Sequence, residues 1–248
     1  MRTAIVIPAR LAATRLPNKP LALLGDTPLV VRTMRQAMKC RSATRVIVAT
    51  DSDAIAAAVR AHGGTPMLTR AEHSSGTDRI AEVAADLDVD LVLNLQGDEP
   101  FVDPGDLETV IDGLASQTVE MATLKAPVED DDALQNPNVV KVVSRDDHQA
   151  LYFSRAPIPF ARHGGAPLTG VWRHVGVYGY RKDALLRLAA TPPHFLEQRE
   201  GLEQLRALAL GFRILVLAAR GRARGIDTED DLLWARARVS ELGEAAFP

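Results

Sequence analysis

The sequence predicts an α/β fold: a mostly parallel, Rossmann-like sheet flanked by helices, with a smaller antiparallel subdomain. Two observations lead to this prediction. In the first half of the 248 residues, short apolar runs alternate with segments of helical period, which is typical of a parallel sheet covered by helices on both faces. In the second half, runs rich in β-branched and aromatic residues follow one another with short links, which favours antiparallel strands.

Three apolar runs in the first half are predicted to be buried strands, because they are rich in β-branched residues and bounded by turn signals. They are Thr3–Pro8, Arg45–Thr50 and Leu91–Leu95, with a shorter strand near Pro66–Thr69. Between them, Asp51 and Ser52 can cap a helix that ends at the Gly63-Gly64 pair. A second helix is predicted over Thr77–Asp88, where the apolar residues form one stripe.

The second half is predicted to contain the antiparallel strands and three helices. Strands are expected at Met121–Ala126, Val139–Ser144, Ala150–Ser154, Val171–Arg181 and Arg213–Leu217. Helices are expected at Lys182–Ala189, Leu196–Leu210 and Thr228–Leu242, the last capped by Asp227 or Thr228.

Composition excludes several classes of protein. A net charge of −3 gives no support to nucleic-acid binding, which normally needs a basic face. Cys40 is the single cysteine, so the chain can form neither an intrachain disulfide nor a cysteine zinc site. We expect a cytoplasmic protein, because the sequence shows neither a signal peptide nor an apolar run near the ~20 residues of a membrane span.

A cationic loop follows the first predicted strand. Pro8 ends that strand, and the loop that begins at Ala9 contains Arg10, Arg15 and Lys19 and no acid. Loops at the carboxyl ends of parallel strands bind ligands in α/β proteins, and Arg and Lys suit phosphate. The loop therefore indicates a polyphosphate clamp, with a solvated basic loop as the alternative.

Two acids are candidates for a divalent cation. Asp98 follows the Leu91–Leu95 strand, so it lies at the same sheet edge as the cationic loop if the two strands are parallel. A carboxylate beside phosphate is repelled unless a cation such as Mg²⁺ bridges the two. Asp227 would complete this site. The alternatives are a turn acid at Asp98 and a helix N-cap at Asp227.

Two further sets of polar residues are candidates for ligand binding. Ser75 and Gly76 directly precede the helix predicted over Thr77–Asp88, where free backbone amides suit an anion or the polar edge of a base, unless Ser75 or Thr77 only caps the helix. The second set would suit a polar, anionic, hydroxyl-rich molecule, unless its members are structural or solvent-facing. It consists of Arg155, His174, Tyr178, Glu203 and Gln204.

The chemistry that these residues suit needs positioning and charge neutralisation. Neither a Ser-His-Asp nor a Cys-His nucleophile stands out in the sequence. Phosphoryl and nucleotidyl transfer fit that description, because they depend on orientation and electrostatic stabilisation.

Taken in chain order, these motifs resemble those of the CMP-sugar-acid synthetases. The resemblance extends from residue 3 to about residue 232, and its ordered combination is far more specific than any single motif. It rests on Ile7-Pro8-Ala9-Arg10, Val48-Ala49-Thr50-Asp51, Ser75-Gly76-Thr77-Asp78-Arg79, Gln96-Gly97-Asp98-Glu99-Pro100, Tyr152-Phe153-Ser154-Arg155, Arg173-His174, Leu202-Glu203-Gln204-Leu205-Arg206 and Ile226-Asp227-Thr228.

The resemblance implies a glycosyltransferase-A-like fold, a homodimer, Mg²⁺ dependence and a place in bacterial lipopolysaccharide assembly. CTP and a sugar acid would be the substrates, with 3-deoxy-D-manno-octulosonate favoured over a sialic acid or an 8-amino analogue. A non-catalytic nucleotide-binding relative is the alternative from another class. Residues 1–248 would form one domain, with nucleotide-binding parts at about 1–120 and 210–248. The part at about 121–209 would bind the sugar acid and dimerise.

The resemblance also implies roles for individual residues. Arg10 and Lys19 would bind the CTP phosphates, and Asp98 and Asp227 would hold Mg²⁺. The rest of the nucleotide site would be formed by Pro8, Ala9, Arg70, Ser75 and Gly76, with Ser75 and Gly76 near the cytosine. The sugar-acid pocket would be lined by Arg15, Gln96, Arg155, His174, Tyr178, Glu203 and Gln204.

Overall fold

The computed structural model describes residues 1–11, 16–163, 167–221 and 224–243. Its strands are β1 (Thr3–Ala9), β2 (Leu23–Leu24), β3 (Thr27–Pro28), β4 (Arg45–Thr50), β5 (Thr65–Leu68), β6 (Leu91–Asn94), β7 (Met121–Pro127), β8 (Lys141–Ser144), β9 (Ala150–Ser154), β10 (Trp172–Arg181) and β11 (Ile214–Ala218). Its α-helices are α1 (Leu29–Met38), α2 (Asp53–Ala61), α3 (Gly76–Ala85), α4 (Pro104–Ser116), α5 (Asp131–Gln135), α6 (Lys182–Ala189), α7 (Phe195–Glu200), α8 (Gln204–Ala209) and α9 (Glu229–Leu242).

Nine of these strands form one mixed sheet, which confirms the predicted fold class. The order across the sheet is β11-β7-β10-β6-β1-β4-β5, and a β8–β9 hairpin pairs with β10. Strands β6, β1, β4 and β5 are mutually parallel, and β11 is parallel to β7. Strand β10 runs antiparallel to both β6 and β7, so it joins the two parallel groups.

The sheet is buried on both faces, as the continuous apolar runs predict. In β1, Ile5 and Ile7 pack into the core layer that covers one face, while Ala4 and Val6 pack into the layer on the other face. All four side chains have zero exposure. Since successive side chains of a strand point to opposite faces, a run without polar residues fits only a sheet covered on both sides.

The helices differ from the sequence-based expectations in four details. Helices α1, α4 and α5 are not predicted by the sequence, although Asp103 caps α4 and Pro104 begins it in the usual way. The single helix predicted over Leu196–Leu210 is wrong. Gly201 takes a left-handed φ of 63° and ends α7, and α8 begins only after it, so the two helices run separately.

The loop after β1 returns to the sheet through a tight turn. Asn18 adopts the left-handed conformation (φ 56°, ψ 23°), which Asn tolerates better than most residues. A short 3₁₀ helix over Lys19–Leu21 follows directly. Lys19 is thereby placed at the carboxyl edge of the sheet, where β1 and β6 end.

Within the described residues, none of the helices is long and apolar enough to cross a membrane.

Replacing Gly179 with Ala is expected to destabilise the fold, because strand β10 packs closely against α4 at this residue. A Cβ atom there would lie 2.6 Å from both Leu114 Cδ1 and Val110 Cγ1. We expect the free energy of unfolding to fall by about 1–3 kcal/mol, the usual cost of overpacking a core. Urea denaturation of the purified variant measures this change.

Gly176 on the same strand provides the matched control. A Cβ at Gly176 meets none of the described heavy atoms within 4 Å. Gly176→Ala should therefore change the free energy of unfolding by less than about 0.5 kcal/mol. Equal destabilisation by the two substitutions would contradict the packing argument.

Candidate active site

A cavity of about 320 Å³ lies at the carboxyl edge of the sheet, where β1 and β6 end. The β1 strand and the loop after it contribute Pro8, Ala9, Arg10 and Lys19 to its wall. The other predicted residues that line it are Ser75, Gly76, Gln96, Asp98 and Asp227. Segments that are far apart in the sequence thus meet at the edge where α/β proteins bind their ligands.

The Lys19 ammonium lies between two carboxylates on one side of this cavity. Its Nζ is 2.5 Å from Asp98 Oδ2 and 3.1 Å from Asp227 Oδ1, and it donates a 2.8 Å hydrogen bond to the Ile226 carbonyl. The Ile226 backbone N–H in turn donates to the Asp98 carbonyl at 3.0 Å. One cation therefore holds together the loops that follow β1 and β6 and the loop that precedes α9.

Asp227 does not cap α9, which was the alternative reading of this residue. Thr228 is the N-cap, and its hydroxyl forms a capping box with Asp231. Asp227 stands one residue earlier, with its carboxylate directed at Lys19 and 57% of its side chain exposed. It is consequently open to a ligand in the cavity.

Charge and burial shift two pKa values in this cluster. Burial by itself would lower the pKa of Lys19, but the carboxylates of Asp98 and Asp227 outweigh burial and raise it. Burial raises the pKa of Glu99 to about 8, and repulsion from Asp98 and Asp227 adds to the rise. Glu99 Oε2 is buried without a hydrogen-bond partner among the described residues. The cluster therefore concentrates negative charge at a point where a cation is favourable.

The carboxylate oxygens of Asp98 and Asp227 suit a magnesium ion that is also bound by the phosphates of a substrate. Asp98 and Asp227 already share one cationic atom, so both carboxylates reach a common position. Their ligand atoms are oxygens, which Mg²⁺ prefers, and Mg²⁺ usually takes one or two carboxylates together with substrate phosphates. Within the described residues, no group of three or more His, Cys, Asp or Glu side chains could hold a metal ion.

Gly97 lets two loops of the site approach each other closely. A Cβ at this residue would lie 3.0 Å from the Pro8 carbonyl oxygen and 3.7 Å from Ala9 Cβ. The Gly97 carbonyl accepts a 3.1 Å hydrogen bond from the Thr33 hydroxyl on α1. The close backbone contact aligns Asp98 with the loop after β1.

Ser75 both caps α3 and lines the cavity, so the two readings of this residue are compatible. Its hydroxyl accepts from the Asp78 N–H at 3.1 Å, and the Asp78 carboxylate accepts from the Ser75 N–H at 3.2 Å. Next to it, a Cβ on Gly76 would lie 3.3 Å from Pro8 Cγ, which is a tight contact. The start of α3 is therefore held against the end of β1.

Arg10 and Arg70, two further cationic residues of the predicted nucleotide site, differ in their position relative to the cavity. Arg10 lines the cavity, is exposed, and has no ion-pair partner among the described residues. Arg70 is exposed outside the cavity wall, and its Nε lies 3.3 Å from Glu82. Arg15 lies outside the described residues.

The structure adds cavity residues that the sequence reasoning did not select. They are His73, which lies two residues before the Ser75-Gly76-Thr77-Asp78-Arg79 motif, and Arg79, which ends it. Arg79 is buried, pairs with Asp51 at 2.9 Å and donates to the Thr69 hydroxyl. Apolar residues have no signature that marks them as site residues in a sequence; here they are Leu16, Pro20 and Leu29.

Four predicted sugar-pocket residues lie together beside this cavity. The His174 and Tyr178 rings are 5.1 Å apart, and burial raises the pKa of the Tyr178 phenol. The Glu203 carboxylate accepts from the Thr77 hydroxyl and from the Ser75 hydroxyl, the latter at 3.3 Å. Gln204 is 4% exposed, and its Nε2 is buried without a described hydrogen-bond partner. An unpaired buried amide is costly, which is expected where a ligand supplies the missing acceptor.

Gln96 and Arg155, the other two described members of that set, form hydrogen bonds within the protein. Gln96 Nε2 donates to Asn94 Oδ1 at 3.1 Å, and its side chain remains at the cavity wall. Arg155 donates to three backbone carbonyls: Glu200 at 2.6 Å, Pro137 at 2.8 Å and Gly201 at 3.4 Å. Arg155 thus connects the end of β9 to two loops.

A second cavity of about 570 Å³ lies between β10 and α9. His174 and Arg173 line it together with Asn138, Arg224 and Trp234. Arg224 stacks on the Trp234 ring at 4.3 Å and pairs with Asp231 at 2.9 Å. His174 is therefore one of the residues that border this second cavity.

Fold and cleft together define the class of this protein: it is an α/β protein with a cavity at the carboxyl edge of its sheet, the edge where such proteins bind their ligands. Comparison with known proteins narrows this class. The family model described as Cytidylyltransferase matches residues 4–214. The chain belongs to the cytidylyltransferase family, and it is accordingly a nucleotidyltransferase.

Individual relatives are similar over nearly the whole chain. Two are named 3-deoxy-manno-octulosonate cytidylyltransferase. The one from Gemmatimonas aurantiaca is 49% identical, covering 99% of this chain and 97% of the relative. The one from Nitrobacter winogradskyi is 46% identical, covering 100% and 98%. A solved CMP:2-keto-3-deoxy-manno-octonic acid synthetase complexed with CTP superposes with a TM-score of 0.93 at 37% identity, covering 98% of this chain and 100% of that chain.

His174 is expected to make the folded state sensitive to acid. Burial, with a contribution from Arg173, lowers the pKa of His174 from 6.5 to about 3. The unfolded chain therefore binds a proton below about pH 6.5 that the folded chain does not bind, so the free energy of unfolding falls as the pH decreases. Between pH 7 and pH 5 this single group contributes up to about 2 kcal/mol to the decrease.

The comparison that isolates this effect is urea unfolding of the wild type and of His174→Gln at both pH values. Gln keeps a hydrogen-bond donor but cannot take up a proton in this range. The variant should lose less stability than the wild type on acidification. An identical loss in the two proteins would show that His174 does not cause the sensitivity.

Proposed function

We propose that this chain transfers CMP from CTP to 3-deoxy-D-manno-octulosonate, which gives the CMP-sugar acid and pyrophosphate. The observation that carries the proposal is the cluster in which Lys19 lies between Asp98 and Asp227 in a cavity that also contains Arg10. Family membership and the names of the relatives support the choice of CTP and of this acid.

The nucleotide would occupy the cavity at the carboxyl edge of the sheet. Arg10, which is exposed and without a described ion-pair partner, would bind the CTP phosphates together with Lys19. Both cations would stabilise the charge that develops on the departing pyrophosphate. Ser75 and Gly76 would lie near the cytosine, with Pro8 and Ala9 as the floor. Arg70 would contribute to nucleotide binding from outside the cavity wall, where its exposed side chain lies.

Asp98 and Asp227 would hold Mg²⁺. When bound, the ion would neutralise negative charge on the α-phosphate and favour deprotonation of the attacking hydroxyl. Lys19 would keep the two carboxylates aligned before the nucleotide arrives, because it already contacts both of them. The anomeric hydroxyl of the acid would attack the α-phosphorus in line, without a covalent enzyme intermediate.

The sugar acid would lie beside the nucleotide, against the residues that join the two sides of the cavity. Gln96, His174, Tyr178, Glu203 and Gln204 would form hydrogen bonds with its hydroxyls. The hydrogen bond from the Ser75 hydroxyl to Glu203 links these five residues to the start of α3, which is near the proposed nucleotide site. Arg15 and Arg155 would orient the carboxylate of the acid.

We extend the proposal to the assembly and setting of the protein. The part at about residues 121–209 would contain the sugar-acid pocket and the contact between two copies of a homodimer. The product would serve lipopolysaccharide synthesis, and the enzyme would act in the cytoplasm.

Asp98→Asn should reduce turnover by at least about 10³-fold while the protein remains folded. The substitution removes the negative charge that Mg²⁺ and Lys19 share, and charge stabilisation of this kind supplies much of the rate in phosphoryl transfer. Pyrophosphate release measures turnover, and circular dichroism checks folding. The matched control is Asp86→Asn, an exposed residue at the end of α3 that should leave turnover unchanged. Near-normal Mg²⁺-dependent turnover of Asp98→Asn would contradict the metal assignment.

The substrate assignment is tested by incubating the wild type with CTP, Mg²⁺ and 3-deoxy-D-manno-octulosonate. Pyrophosphate release should require all three components and should fail when UTP replaces CTP. Release with a sialic acid or the 8-amino analogue instead would identify a different acceptor. Binding of CTP without release with any of these acids would identify a nucleotide-binding relative that lacks catalysis.

A further inference from the structure

The His174 side chain forms its described hydrogen bond inside the sheet, with Thr123 on the neighbouring strand β7. Thr123 has zero exposure, and its Oγ1 lies 2.9 Å from His174 Nε2. The same oxygen lies 2.8 Å from the Val177 carbonyl oxygen and 3.3 Å from that of Val175. One hydroxyl therefore has an imidazole and two carbonyls around it.

An irregularity in the β7–β10 pairing creates this arrangement. Val175 pairs with Leu124, but the next paired residue of β10 is Tyr178, which faces Thr123. Gly176 and Val177 are therefore extra residues on β10, and the ladder is disrupted beside them. The Thr123 hydroxyl supplies a hydrogen bond to the Val177 carbonyl at this interruption.

Only one assignment of the protons satisfies both the 2.9 Å contact with His174 and the 2.8 Å contact with the Val177 carbonyl. A threonine hydroxyl has one proton to donate and lone pairs with which to accept. Carbonyl oxygens only accept, so the proton is directed at the nearer carbonyl, that of Val177. The Thr123 oxygen then presents a lone pair to His174, and Nε2 must carry the hydrogen that completes the 2.9 Å contact.

A neutral imidazole protonated on Nε2 has an unprotonated Nδ1, which is an acceptor. Burial lowers the pKa of His174 to about 3, so the ring stays neutral at physiological pH. The ring is held by the edge of Phe153 at 5.2 Å and by Tyr178 at 5.1 Å. Among the residues that the structure describes, none forms a hydrogen bond with Nδ1, and His174 is one of the residues that line the cavity between β10 and α9.

We propose that Thr123 is a positioning residue that holds His174 in the Nε2–H form, so that Nδ1 accepts a hydrogen bond from a hydroxyl of the sugar acid. The part that concerns the acid rests on the proposed function, whereas the part that concerns the ring does not. An acceptor at this position favours a ligand rich in hydroxyls. The opposite form of the ring would present an N–H, which suits a carboxylate or a carbonyl instead.

The protonation of the ring is tested first, by nitrogen NMR of the full-length protein with ¹⁵N-labelled histidine. The chain has six histidines, and the signal of His174 is the one absent from His174→Gln. We expect the wild type to show a protonated Nε2 and an unprotonated Nδ1. The Nδ1–H form in the wild type would overturn the proposal, whether or not the enzyme turns over any acid.

Three substitutions separate positioning from simple stability. Thr123→Val removes the hydroxyl at nearly constant volume and should give a mixture of ring forms, whereas Thr123→Ser should keep the wild-type form. Thr44→Val is the matched control, because the Thr44 hydroxyl also donates to a backbone carbonyl, that of Thr3 at 2.7 Å, and forms no hydrogen bond with a histidine among the described residues. An unchanged His174 spectrum in Thr123→Val would overturn the role of Thr123.

The kinetic readout uses CTP, Mg²⁺ and the sugar acid that the wild type turns over. Thr123→Val should raise the KM for the acid about tenfold, the order expected for one mispaired hydrogen bond, with the KM for CTP changed less than about twofold. Thr123→Ser and Thr44→Val should behave like the wild type. Equal changes in both KM values, or none, would overturn the contact between Nδ1 and the acid. Absence of turnover by the wild type would overturn the proposed function and leave the NMR result to decide the role of Thr123.

Discussion

The contact of one ammonium with two carboxylates is the interaction on which the candidate site depends. Lys19, Asp98 and Asp227 come from three loops, and each loop is placed by a different part of the fold. Without the Lys19 cation, the carboxylates of Asp98 and Asp227 would repel each other in a partly buried position. The same negative charge that Lys19 neutralises is what makes the position suitable for a metal ion that arrives with phosphate.

The mixed sheet brings the two halves of the site together. Strand β10 lies between β6 and β7 and runs against both of them, so it connects the β1 region to the β7–β11 pair. Tyr178 of β10 therefore lies between Asn94 of β6, in the first half of the chain, and Thr123 of β7. Because β10 is interrupted at Gly176 and Val177, a buried hydroxyl of β7 becomes available to His174. An irregularity in the sheet thus contributes to the proposed pocket.

Several residues serve the fold and the site at once. Ser75 caps α3 and also donates to Glu203, and the Thr77 hydroxyl on the first turn of the same helix donates to that carboxylate too. Burial raises the pKa of Glu203, and its bond to Thr77 and its attraction to Arg206 oppose the rise. For such residues, capping and ligand binding were separate alternatives at the level of sequence. In the structure Ser75 both caps the helix and lines the cavity, because the helix begins at the cavity wall.

The sequence by itself determined the buried parallel strands, the cationic loop after β1 and the acids that follow β6 and precede α9, because these depend on local pattern and strand direction. It did not determine that Gly201 divides the helix predicted over Leu196–Leu210, that Thr228 rather than Asp227 caps α9, or that Leu16 and Leu29 line the cavity. Those features, like the meeting of Lys19 with Asp227, depend on contacts between residues that are far apart in the chain. Only the tertiary structure decides them, since side-chain packing and charge pairing arise from the distances that folding creates.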